Sequence, residues 1–96
     1  MIVCMTEDAV KEALKGIDGW YLQLNALERT IEGETYQDAL DLVYKVGQLA
    51  EDINHHPDMT LSYKTLTIRF WSHDAGGITE RDIEAVKQVN TLLQIN

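Results

Sequence analysis

The sequence predicts an α+β fold, a four-stranded antiparallel sheet with helices packed on one face, in the order α-β-β-α-β-β-α. Three observations carry that expectation. Thr6, Thr35 and Thr79 each stand just before a run of apolar residues at helical spacing. Two pairs of short runs with alternating apolar and polar residues lie between those helices. Two hairpins with helices between and around them make a sheet covered on one side.

Each element has a local reason. Thr6 is a good N-cap, Glu7 and Asp8 suit the positive end of a helix dipole, and Ala9, Val10, Ala13, Leu14 and Ile17 repeat at helical spacing. Gly16 and Gly19 close this first helix. Trp20, Leu22 and Leu24 then alternate with Tyr21 and Gln23, and Leu27, Arg29 and Ile31 alternate with Glu28 and Thr30. Asn25-Ala26 is the expected turn, and Gly33 ends the hairpin. Thr35, with Asp38 three residues on, opens a longer helix whose apolar side runs through Tyr36, Ala39, Leu40, Val43, Val46, Gly47, Ala50 and Ile53. Pro57 disfavours helical geometry at the residue before it, so this helix should stop near Asn54. A short strand is expected around Thr60–Tyr63 and a clearer one at Thr65–Trp71, with Leu66, Ile68 and Phe70 on one side. Thr79 with Asp82 repeats the capping pattern for the last helix, whose stripe is Ile83, Val86, Val89 or Asn90, and Leu93.

Composition bounds the function. Ninety-six residues with 45% apolar and 25% charged side chains make one ordinary globular domain over residues 1–96. A chain of this size buries only roughly 60–65% of its unfolded surface, so self-association would hide more. Thr65–Trp71 reads as an edge strand open to a second subunit, and Gly47 as a place where another backbone comes close. No stretch approaches a membrane span, and the Met1–Met5 run meets Glu7 and Asp8 too soon for a signal peptide. The single cysteine, Cys4, fits a reducing, cytoplasmic setting. A net charge of −8, with eight Lys and Arg scattered among acids, argues against nucleic acid as a partner.

The most informative residues are His55, His56 and His73, all three histidines of the chain within 19 positions. Histidine has an unperturbed pKa of about 6.5 and both gives and takes protons near neutral pH. Such a cluster points to proton transfer or to a metal. His55 and His56 emerge at a helix C-terminus, whose partial negative charge favours an imidazolium. Glu51 is four residues before His55, on the same helix face, and could orient that ring. His73 leads into Asp74-Ala75-Gly76-Gly77, whose paired glycines permit close approach or positive φ. Spacing alone leaves open whether His73 meets the other two.

The stretch Ala50-Glu51-Asp52-Ile53-Asn54-His55-His56-Pro57, then Tyr63, then Ser72-His73-Asp74-Ala75-Gly76-Gly77-Ile78-Thr79-Glu80-Arg81-Asp82, resembles the pterin-4a-carbinolamine dehydratases. The family pattern is a Glu four before His-His-Pro, an aromatic six after that Pro, and Thr/Ser-His with a Gly-Leu-Thr/Ser turn and a later Asp. The resemblance extends back to Trp20 and covers most of the chain. Met59 stands where many members carry a tryptophan, Asn54 replaces a common Asp, and Trp71 is unusual just before Ser-His.

The resemblance implies a helix-flanked sheet that dimerises into a longer sheet, and dehydration of a 4a-hydroxytetrahydropterin to the quinonoid dihydropterin. It implies no metal and no redox cofactor. His55 and His73 match the acid–base pair, His56 the histidine that mainly holds substrate, and Glu51, Pro57 and Ser72–Ala75 (Ser72, His73, Asp74, Ala75) the residues lining the pterin. A three-histidine zinc site is the chemical alternative, although adjacent histidines seldom turn both rings to one ion. Some members instead bind proteins, stabilising a transcription-factor dimer or assisting another enzyme's assembly. A pterin substrate, a homodimer or homotetramer, and a protein partner are therefore the expected associations.

Overall fold

The computed structural model describes residues 3–94, so the first two residues of the Met1–Met5 run lie outside the described residues. The chain forms α1 (Glu7–Leu14), β1 (Tyr21–Gln23), β2 (Ala26–Glu32), α2 (Tyr36–Ile53), β3 (Asp58–Ser62), β4 (Thr65–Phe70) and α3 (Glu80–Leu92). The order and the antiparallel pairing are those the patterning predicts.

All three threonines cap as expected. Thr6 Oγ1 accepts from the Ala9 amide and Thr35 Oγ1 from the Asp38 amide, while Thr79 and Asp82 form a complete capping box. Asn54, not Pro57, ends α2 locally. It adopts the left-handed conformation (φ 53°), and the His55 amide donates back to the Ala50 carbonyl. The backbone of the first histidine is thus fixed by the helix it terminates.

The first hairpin turns one residue earlier than predicted. Leu24 and Asn25 both take positive φ (49° and 60°), Gln23 pairs with Ala26, and Ala26 is buried in β2. A two-residue hairpin of this hand needs two positive-φ positions, and placing them here keeps Leu27 in the core. Leu24 is left on the surface. In the second hairpin, β3 starts directly after Pro57 and Tyr63 lies in the turn (φ 51°).

The sheet order is β1-β2-β4-β3. This corrects the expectation that Thr65–Trp71 is an edge: β4 is interior, bonded to β2 on one side and β3 on the other. Its Leu66, Ile68 and Phe70 are fully buried, and each contributes about 1.5–3 kcal/mol of apolar burial. The free edges belong to β1 and β3. The helices cover this inner face, with Val46 of α2 and Ile83, Val86 and Val89 of α3 in the same core. Both candidates for the α3 stripe are buried. Asn90 accepts from the Trp20 indole at 2.8 Å and donates to the Asp18 carbonyl at 2.9 Å.

The apolar side of α2 is wider than the core uses. Ala39, Val46 and Ala50 are buried, whereas Tyr36 and Leu40 lie at the surface beside Tyr44. A Cβ placed at Gly47 would meet nothing within 4 Å outside its own helix, so no backbone among the described residues approaches there. The outer face of the sheet is polar. Tyr21, Glu28, Arg69 and Asp58 form one cross-strand row, in which Arg69 donates to Glu28 at 2.7 Å and holds that carboxyl below the usual carboxylate range.

Candidate active site

The sheet register decides what the sequence leaves open. Antiparallel pairing of β3 with β4 starts beside Asp58 and Arg69, which returns the end of β4 to the point where α2 releases the chain. His55, His56 and His73 then line one open depression of about 340 Å³, together with Asn54, Trp71 and Asp74.

His55 is the most constrained of the three. Its side chain is only 13% exposed, its ring stacks on Phe70 at 5.7 Å, and its Nε2 lies 2.5 Å from Asp82 Oδ1. Asp82 is fully buried. A buried carboxylate is costly unless its oxygens are satisfied, and here they are. Oδ2 accepts from the Thr79 amide at 2.9 Å and from the Ser72 hydroxyl at 2.8 Å. Ser72 Oγ lies 2.8 Å from Thr79 Oγ1. Since the Ser72 proton goes to Asp82, the Thr79 hydroxyl donates in that contact. One carboxylate therefore caps α3 with one oxygen and fixes His55 with the other. In neutral imidazole this places the proton on Nε2 and leaves the Nδ1 lone pair to exchange a proton.

The orienting carboxylate expected for His55 is thus corrected. Glu51 reaches His56 instead, with Oε2 2.5 Å from Nε2, and both side chains are mostly exposed. The reason is the left-handed residue at Asn54. It breaks the helical i, i+4 geometry and rotates His55 inward, so His56 takes the outer place.

His73 is exposed, and its ring lies flat against Trp71 at 3.7 Å and 22°. Its turn is tied from a distance. The Cys4 thiol donates to the Ala75 carbonyl, Asn25 to the Gly76 carbonyl, and the Met5 amide to the Ile78 carbonyl. Gly76 has φ +71°, which disfavours a side chain there, and a Cβ at Gly77 would press on Cys4 Sγ and Asn25. Arg81 donates to Asp74 and holds its carboxyl below the ordinary range.

Among the other predicted site residues, Ser72 is buried and Pro57 and Ala75 are half-buried, and none of the three lines the depression. Met59 packs against the core. Asp82 was legible only as a helix cap, although the family pattern includes an Asp at that spacing. Among the described residues, no three His, Cys, Asp or Glu side chains are grouped so as to hold a metal ion.

The family model for pterin 4 alpha carbinolamine dehydratase matches residues 4–92. The chain belongs to that family. Relatives provisionally named pterin-4-alpha-carbinolamine dehydratase include proteins of Sulfurisphaera tokodaii and Mycolicibacterium smegmatis. Each is 36% identical over 93% of this chain, covering 96% and 95% of the relative. A crystal structure described as a transcriptional coactivator/pterin dehydratase from Brucella melitensis superimposes with a TM-score of 0.85 at 26% identity. That match covers 93% of this chain and 97% of the other. No helix among the described residues is long and apolar enough to cross a membrane.

Proposed function

We propose that this protein dehydrates a 4a-hydroxytetrahydropterin to the quinonoid dihydropterin by histidine acid–base catalysis, in a reducing cytoplasm. The observation that carries the reading is the shared depression of His55, His56 and His73, with His55 held by a buried carboxylate. Loss of the 4a-hydroxyl needs a proton delivered to the leaving oxygen and a proton taken from a ring nitrogen as the double bond forms. Positioned groups of this kind are worth roughly 10²–10⁴ in rate. His55 exchanges protons at Nδ1, while Asp82 orients the ring through Nε2. His73 serves the other transfer from the far side of the depression. His56, tied to Glu51, holds the substrate, and Asn54 and Asp74 offer polar groups at the rim.

Stopped-flow measurement of carbinolamine breakdown, with and without the protein, tests this directly. Acceleration that survives exhaustive chelation is expected. Breakdown at the uncatalysed rate would sink the assignment, and activity lost to chelator and restored by zinc would replace it with metal chemistry.

A second, compatible role is binding to another protein. Tyr36, Leu40 and Tyr44 are 48%, 36% and 69% exposed on α2, and the Brucella melitensis relative is described as a transcriptional coactivator as well as a dehydratase. Self-association is also expected, because the chain is small and β3 leaves one sheet edge open. Sedimentation equilibrium at micromolar concentration should give at least twice 10.9 kDa. A clean monomer would rule out sheet continuation.

A further inference from the structure

Two histidines of the site are held by carboxylates, and the third, His73, is held by a different device. His55 has Asp82 and His56 has Glu51. His73 stands on an exposed turn, and no hydrogen bond to its ring is seen among the described residues. It is instead laid face to face on the Trp71 indole, at van der Waals distance and nearly parallel. The indole is itself anchored, with Nε1 donating to Asp58 Oδ2 at 3.2 Å. Asp58 is the first residue of β3 and pairs with Arg69 of the interior strand β4, so this anchor stands on the sheet. The tie runs from the sheet through Asp58 and Trp71 to the His73 ring.

We infer that Trp71 is a positioning residue for His73, fixing the plane of the imidazole while leaving both ring nitrogens free. A carboxylate partner would occupy one nitrogen. A stacked ring occupies neither, which suits a group that approaches substrate from an open loop. This role rests on the proposed dehydration.

Two readouts test it. In proton NMR, the His73 ring signals, assigned by their loss in His73→Ala, should be displaced upfield by the indole and return toward those of a free imidazole in Trp71→Leu. In the dehydration assay, Trp71→Leu should lower kcat by roughly ten- to a hundredfold with KM little changed, as expected for a misplaced catalytic group. Trp71→Phe, which keeps an aromatic face but loses the bond to Asp58, should fall between the parent and Trp71→Leu, close to Asp58→Ala. In a His73→Ala background, Trp71→Leu should have almost no further effect, because the two act as one unit. Should Trp71→Leu fail to fold, Asp58→Ala unties the indole from an exposed position and should lower kcat in the same direction. An active parent whose Trp71→Leu variant keeps its kcat, or whose His73 signals are not displaced, overturns the role of Trp71 alone. A parent that does not dehydrate the carbinolamine overturns the function, and this role with it.

Discussion

The double variant His55→Ala, His73→Ala should fall to near the uncatalysed rate of carbinolamine breakdown while remaining folded. The two rings line one depression from different elements, His55 at the end of α2 and His73 after β4, so they reach a bound ligand from different directions. Each single variant removes one proton transfer and should lower kcat within the roughly 10²–10⁴ range of general acid–base catalysis. His56→Ala should chiefly raise KM, because its Nε2 is engaged by Glu51 on the solvent side. Stability should hardly change for His73 or His56, which are exposed. Far-UV circular dichroism and stopped-flow kinetics on the four proteins separate these outcomes. A double variant that keeps most of its activity would show that these histidines do not carry the chemistry.

Substitution of Asp82 should lower both stability and rate, and two substitutions tell the effects apart. Asp82→Ala strips the partner from the Thr79 amide, the Ser72 hydroxyl and His55 Nε2 in a fully buried place. The expected cost is about 3–5 kcal/mol, the range for removing one member of a buried polar pair. Asp82→Asn keeps the shape and can still cap α3 by turning its carbonyl toward Thr79 and Ser72. Its amide nitrogen then faces His55 Nε2, donor against donor, unless the imidazole moves its proton to Nδ1. That exchange leaves the wrong nitrogen to receive a proton from substrate. The variant should therefore retain most of the stability in chemical unfolding, yet lose roughly 10²-fold or more in kcat. Wild-type kcat in Asp82→Asn would show that the tautomer of His55 does not matter.

The sequence by itself determined the elements and the family. Three capping threonines, two alternating pairs and the spacing of His-His-Pro to Ser-His are local signals, set by backbone hydrogen bonding and side-chain period, and they need no knowledge of what lies opposite. Turn placement was nearly as legible; the one-residue shift at Leu24-Asn25 arose because non-glycine residues took the positive φ values there.

Only the tertiary structure decided which strand is interior and which carboxylate serves which histidine. Strand order depends on long-range pairing, and an alternating run such as Thr65–Phe70 carries the same pattern at an edge or in the middle of a sheet. Helical spacing points Glu51 at His55, but Asn54 leaves the helix and turns His55 toward Asp82, 27 residues further on. Asp82 looked complete as a cap because one of its oxygens is one. The second oxygen acquires its purpose only when α3 packs beside the end of α2, and no local pattern records that meeting.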